Sequence, residues 1–336
     1  MRNTSQAVKL ISAVSLASAL AACGGGGDGG SSSTGSTGGT STTPSQTVTG
    51  TQTTPQYAAS SGQLAAFNLL NQYRTQCGFP ALQQNTVLDQ AAQAHAQYMG
   101  LNNAVSDTEV SGNQGYTGAS YVDRAVHAGF PSTAFGPGVS AAYSSNAVLT
   151  DAEYGQNLVY AWLAGVYHVG GLTYPMNTVG IGLSKTQTVN GSFTFTNAWG
   201  SLSILNTQAQ TISNGPLTFP CQGVTGVAYK AVGETPTPPN ASASGWGTPV
   251  VVVGNPATDT IVLQSGSMTD PSGTVTSLQL LNSTNDPNKV IQPYQAVAYP
   301  AAALTANTVY TVSITGTING KPFSRAFTFT TGNVVG

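Results

Sequence analysis

Chemistry in this chain of 336 residues rests on few side chains: three histidines, at 95, 127 and 168, three cysteines, at 23, 77 and 221, and eleven carboxylates. Imidazole and carboxylate groups together suit proton transfer or the holding of a divalent cation. His95 stands seven residues after Leu88 on the apolar side of a helical pattern, where a hydrogen-bonded core histidine is expected. His127, inside Asp123-Arg124-Ala125-Val126-His127-Ala128, reads as a surface or packing residue. Ser144 and Ser145 lack the G-x-S-x-G frame that exposes a nucleophilic serine, and no histidine lies near them in sequence.

The cysteines point to export. Arg2 and Lys9 precede an apolar run over 10–22 that only serines interrupt, which has the charge and length of a secretory signal. The run ends in Leu20-Ala21-Ala22-Cys23, which resembles a lipobox, so Cys23 is expected to carry diacylglycerol and to hold the protein at a membrane. Acyl chains contribute about 0.8 kcal/mol per buried CH₂. Gly24 in place of an acidic residue is similar to the pattern that sends Gram-negative lipoproteins to the outer membrane or cell surface. Lipidation of Cys23 leaves Cys77 and Cys221 as partners in an oxidising compartment. A bridge closing so long a loop contributes about 5 kcal/mol in the chain-entropy model.

Composition narrows the function further. Only 9 basic residues face 11 acidic ones, and 6% of residues are charged, far below the roughly 25% of an ordinary soluble domain. No basic cluster exists to neutralise phosphates, which excludes a nucleic-acid partner. After the first 25 positions no apolar stretch is long enough for a membrane-crossing helix. From 23 to 60 the chain is mostly Gly, Ser, Thr and Pro, too poor in apolar side chains to offset its ordering entropy, and is expected to be a disordered stalk.

Elements that would position the histidines follow from periodicity. Residues 62–76 place Leu64, Phe67, Leu70 and Tyr73 at helical spacing, and Gly78-Phe79-Pro80 stops the run. Asn85 or Thr86 caps a second helix that sets Leu88, Ala91, Ala92, His95 and Met99 on one face. The run LLNQYRTQCGFPALQQNTVLDQAAQAHAQYM resembles the opening of the CAP superfamily, the SCP-like extracellular proteins. The likeness continues through SDTEVSGNQGYTGASYVDRAVHAGF, Trp162-Leu163, Val166-Tyr167-His168, Pro175 and Val179-Gly180-Ile181-Gly182. The resemblance covers roughly 62–205 and implies an α-β-α sandwich around a mixed or antiparallel sheet.

The resemblance also implies a cleft in which two histidines and two acidic residues hold a metal such as zinc. His168 matches the second histidine, whereas Asp107 stands where many bacterial relatives have the first. The Gly-Glu-Asn position falls on Ser144-Ser145-Asn146 by spacing and on Gly155-Gln156-Asn157 by local similarity, and neither offers the glutamate. The candidate cleft is therefore His168, Asp107, Glu109, Ser145 and Gln156, with no catalytic residue assigned. One imidazole with Asp107 is a poor zinc site, so no metal and no cofactor are expected. Phe135-Gly136-Pro137-Gly138 and the Ala/Ser-rich run to Ala147 read as a long loop over that cleft or as plain surface.

Residues 226–246 are Pro-rich and read as an extended linker. Beyond it, short runs rich in Val, Ile, Thr, Tyr and Phe predict an all-β sandwich of about seven strands. Tyr310, Val312 and Ile314 alternate with Val309, Thr311 and Ser313, and Asn319-Gly320 predicts a type I′ hairpin. This part resembles bacterial Ig-like domains, which implies a spacer or adhesive module.

The fold class expected is thus α+β: a CAP-type α-β-α sandwich over 61–225, then an Ig-like β-sandwich over 247–334. The function expected is an exported, membrane-anchored lipoprotein that binds a lipid, peptide or glycan, or scaffolds, without catalysis. The alternative is a metal-assisted hydrolase of peptide or cell-wall material using Asp107, His168 and an unrecognised third ligand.

Overall fold

The computed structural model describes residues 48–336. The signal peptide expected over 1–22, Cys23 and the expected stalk as far as residue 47 lie outside the described residues.

Local signals set the helices. The Ser61 hydroxyl accepts from the Leu64 amide and starts α1 (Gly62–Gln76), whose buried face carries Phe67, Leu70, Tyr73 and Arg74. Gly78, at φ +80°, turns the chain away from α1. The Asn85 side chain accepts from the Val87 and Leu88 amides and starts α2 (Thr86–Asn102), which buries Leu88, Ala92, His95 and Met99. Reciprocal capping boxes, Ser120 with Asp123 and Thr150 with Glu153, open α3 (Tyr121–His127) and α4 (Asp151–Ala164). A single turn, α5 (His168–Leu172), follows.

The first sheet runs in the order β1 (Gln83–Gln84), β3 (Thr178–Asn190), β4 (Phe193–Ser203), β2 (Gly138–Ser145). It is mixed, since β1 is parallel to β3 and the other pairs are antiparallel. Gly182 pairs with Ser201, which places Gly182 and Gly200 on opposite faces. A Cβ on Gly182 would meet the Ala92 carbonyl oxygen of α2 at 2.1 Å, and one on Gly200 would meet Leu158 of α4 at 2.6 Å. Helices therefore press on both faces, and the α-β-α layering expected from the sequence is present.

Two expectations for this half need correction. Residues 138–145 are not loop: Val139, Ser140 and Ala141 pair with Leu202, Ser201 and Gly200 of β4. Their small side chains carry little strand preference, and the partner strand overrides it. Residues 48–60 are not stalk either. Asn85 Nδ2 donates to the Thr49 carbonyl and the Thr51 hydroxyl, and the Tyr57 hydroxyl donates to Asp89 at 2.7 Å.

The second half holds two sheets. One runs β10 (Gln279–Asn282), β11 (Gln295–Tyr299), β7 (Val250–Val253), β5 (Leu217–Phe219); the other runs β6 (Val224–Val227), β13 (Lys321–Thr331), β12 (Val309–Ile318), β8 (Ile261–Thr269), β9 (Val275–Ser277). Tyr310, Val312 and Ile314 of β12 are buried while Val309, Thr311 and Ser313 are exposed, the alternation read from the sequence. Asn319 and Gly320 both take positive φ, +52° and +75°, as the type I′ turn demands.

The boundaries move. Strand β5 lies before the expected end of the first domain at 225 and β6 straddles it, yet β5 pairs with β7 and β6 with β13. Nor is 226–246 an extended linker: Glu234 and Trp246 are buried, and Trp246 Nε1 donates to the Ala164 carbonyl at 2.9 Å. One apolar core runs through both halves, joining Trp162, Leu163 and Val166 to Trp246 and the valines of β7. The disulfide Cys77–Cys221, with Cα atoms 5.4 Å apart, ties the end of α1 to the turn between β5 and β6. The two halves are one packed unit because β5, β6 and the 228–246 segment fill the space between them.

Candidate functional site

Asp107 and His168, which the sequence pairs in one cleft, are both sealed, at 2% and 0% exposure. The Tyr121 hydroxyl, from α3, donates to Asp107 Oδ1 at 2.5 Å and lies 2.6 Å from the Ser140 hydroxyl on β2. Asp107 Oδ2 is buried with no hydrogen-bond partner. Burial pushes the Asp107 carboxyl up to about 6, against the opposing pull of the His168 imidazole and of Tyr121. This carboxylate can hold a proton close to neutral pH. It cannot meet a substrate without an opening.

His168 opens α5 and faces a carboxylate that sequence reasoning missed. Glu234 Oε2 accepts from the Val166 amide at 2.8 Å, and Oε1 accepts from the amides of Tyr167 and His168 at 2.9 and 3.0 Å. The same Oε1 lies 3.1 Å from His168 Nδ1. A carboxylate ringed by three amides and an imidazole is a paired buried charge, the form in which burial is tolerated. The signal was present: Glu234 is the only charged residue between 231 and 247.

Glu109, assigned to the same cleft, belongs elsewhere. Its Oε1 lies 2.9 Å from His95 Nδ1, and its Oε2 accepts from the amides of Thr117 and Gly118. His95 Nε2 faces the Ser106 carbonyl at 2.7 Å. That oxygen can only accept, so Nε2 is the donor and one further proton is shared between Nδ1 and Glu109. Burial raises the Glu109 pKa, but the His95 contact, the Thr117 amide and the Arg124 guanidinium outweigh it and hold the group below the usual carboxylate range. The pair braces the 106–118 loop against α2. His95 is thus a buried, hydrogen-bonded core residue, and His127 is exposed.

The two remaining candidates are not brought to Asp107. Ser145 ends β2, where its hydroxyl accepts from the Ala147 amide. Gln156 is exposed on α4 and lines a groove with Ser61 and Asn68. The side chain of β2 that does reach the buried centre is Ser140, for which the Ala/Ser-rich sequence carries no distinguishing signal. Among the described residues, no group of three or more His, Cys, Asp or Glu side chains is placed to hold a metal ion.

A cavity of about 540 Å³ lies away from this centre, where the two halves meet, and shares no lining residue with it. Tyr174 from the loop after α5 and Tyr294 from the loop before β11 form its aromatic part, with ring centroids 5.6 Å apart at an edge-to-face angle of 74°. Arg74 fixes Tyr174 from behind: buried in α1, its guanidinium donates to the carbonyls of Pro80, Leu172, Tyr174 and Met176. Burial lowers the Arg74 pKa to about 9, which leaves it charged at neutral pH. Phe135 and Pro137, expected in a loop above a cleft, line this cavity.

Residues 67–196 match the family model described as the cysteine-rich secretory protein family, CAP. This segment is a CAP domain. None of the curated proteins matches the chain. Among solved structures, an outer surface protein from Borrelia burgdorferi is similar at 15% identity, over 41% of this chain and 91% of its own, with a TM-score of 0.27. Asp107, Ser140 and His168 all lie within the matched segment, and Glu234 reaches His168 from outside it.

Proposed function

We propose that this protein is exported to the cell envelope, is anchored by lipid on Cys23, and works there by binding rather than by catalysis. The observation that carries the reading is the Glu234 carboxylate seated on His168, with both side chains at 0% exposure. A hydrolase needs a reactive group within reach of substrate and donors aimed at the developing charge. Here the amides at the start of α5 are already taken by Glu234. Metal-assisted chemistry would need a third ligand beside Asp107 and His168, and the side chains around Asp107 are a tyrosine and a serine hydroxyl.

Several observations support the cellular setting. The Cys77–Cys221 disulfide fits an oxidising compartment outside the cytoplasm. Among the described residues no helix is long and apolar enough to cross a membrane, so membrane attachment is assigned to the lipid. The second half is read as an Ig-like module. Its first strand is split between the sheets as β5 and β6, and the orders β5-β7-β11-β10 and β13-β12-β8 follow the immunoglobulin arrangement. The Tyr310 hydroxyl, near the start of β12, accepts from the Thr305 amide at 2.9 Å in the manner of a tyrosine corner.

The test is zinc titration of the full chain beside His168→Ala and Asp107→Ala, followed by peptide and cell-wall hydrolysis assays. The reading expects no stoichiometric zinc and no turnover. Zinc bound by the parent and lost in both variants, with zinc-dependent hydrolysis, would overturn it.

A further inference from the structure

The cavity between the two halves is lined by aromatic, amide and small side chains, and by no Asp, Glu, Lys, Arg or His. Its volume of about 540 Å³ falls within the roughly 300–1,000 Å³ of small-molecule sites. Tyr174 and Tyr294 are only 6% and 7% exposed, yet neither hydroxyl has a hydrogen-bond partner among the described residues. The half-buried Gln210 and Gln292 also face the cavity: no protein group uses the Gln210 side-chain amide, and Gln292 uses only its Nε2, on the Val290 carbonyl. None of these polar atoms is sealed from water inside the protein; they open onto the cavity and no protein group uses them, so they are free to bond a ligand that displaces the water there.

We propose that this cavity is a binding site for an uncharged sugar, the terminal one or two residues of a neutral glycan. The proposal rests on the binding reading above and names its site and ligand class. A sugar ring offers a C–H face to an aromatic ring and a rim of hydroxyls that both donate and accept. The uncommitted groups need both: phenols that donate or accept, and the Gln292 carbonyl oxygen, which only accepts. An acyl chain would leave all of these unpaired. A proline-rich peptide presents carbonyl acceptors and would leave Gln292 Oε1 unmatched. An acidic or basic sugar would meet no opposite charge in the lining.

The site is also built in advance, which lowers the ordering cost of binding. Arg74 holds the Tyr174 loop by its carbonyls. The Gly254 amide donates to the Tyr294 carbonyl at 2.9 Å, and the Gln210 amide donates to the Pro175 carbonyl. Asn255 joins the two walls, accepting from the Ile212 amide at 2.7 Å and donating to its carbonyl at 3.1 Å.

The test is saturation-transfer NMR on the full chain with cellobiose, maltose, lactose and N,N′-diacetylchitobiose, beside glucuronate, decanoate and hexaproline. Three variants accompany it. Tyr174→Phe and Tyr294→Phe remove hydroxyls that no protein group uses, and Ala257→Trp fills the mouth from an exposed position. At least one neutral disaccharide is expected to bind, about threefold or more weakly in each Tyr→Phe variant, given the worth of one hydrogen bond, and not at all in Ala257→Trp. Binding unchanged in Ala257→Trp, or no disaccharide bound, overturns the site assignment. Decanoate or hexaproline bound in place of sugar overturns the ligand class and leaves the binding reading standing. Cleavage of a bound disaccharide overturns the non-catalytic reading and leaves the site in place.

Discussion

Oε1 of Glu234 lies 3.1 Å from Nδ1 of His168, and neither side chain is exposed. This contact joins the CAP domain to a segment beyond its family match and closes the position where the family resemblance places a metal-binding histidine. It is both a plug and a latch, because Glu234 also accepts the amides that begin α5.

Removing the latch is expected to be costly. Glu234→Ala leaves three buried amides and an imidazole without their acceptor, and breaking a buried ionic cluster costs about 3–5 kcal/mol. Urea unfolding reads the loss, and hydrogen exchange locates it, with faster exchange at Val166, Tyr167 and His168. Unchanged protection at these three amides would show that Glu234 does not close the site.

Asp107 predicts a pH dependence of definite sign. Its folded pKa of about 6 stands above the 3.8 of an ordinary aspartate, so between these values the folded chain holds more proton than the unfolded one. Stability from this group therefore falls as pH rises from about 4 to about 6, by about 3 kcal/mol at 1.36 kcal/mol per pKa unit. Asp107→Asn is expected to remove that slope and to narrow the gap between pH 4 and pH 7 in urea unfolding. Parallel curves for parent and variant would contradict the assignment.

The Cys77–Cys221 bridge spans 144 positions. Reduction, or Cys221→Ser, is expected to lower stability by about 5 kcal/mol through the released chain entropy. Thermal unfolding with and without reductant measures this, and the serine variant should no longer respond to reductant.

Cys23 predicts a covalent lipid. Metabolic labelling with radioactive palmitate is expected to mark the protein, and Cys23→Ser is expected to abolish the label and release the protein from the membrane fraction. Labelling that survives the substitution would place the anchor elsewhere.

Much of the architecture was legible because its signals are local. Ser61 and Asn85 announce α1 and α2 by capping chemistry, and the spacing of Leu88, Ala92, His95 and Met99 states which face α2 buries. Asn319-Gly320 sets the β12–β13 turn by backbone freedom alone. The Glu109–His95 pair was half legible: periodicity put His95 inside, but nothing local said that Glu109 would be its partner rather than His168's. Gln156 and Ser145 misled because local similarity and spacing assign a position without reporting which way its element faces. β2 and the 226–246 segment were misread since Ala, Ser and Pro carry weak preferences that a neighbouring strand or core overrides.

By itself the sequence determined the helices of the first half, the β-rich second half, the pairing of Cys77 with Cys221 and the low charge content, because capping, periodicity, turn chemistry and composition act within a few residues or over the whole chain; the α-β-α layering was implied only by the family resemblance. Tertiary structure alone decided that Glu234 meets His168 from 66 positions away, that Ser140 joins Asp107, and that Tyr174 and Tyr294 enclose one cavity. Periodicity reports that a side chain is buried, whereas its partner is fixed only when distant segments pack against each other.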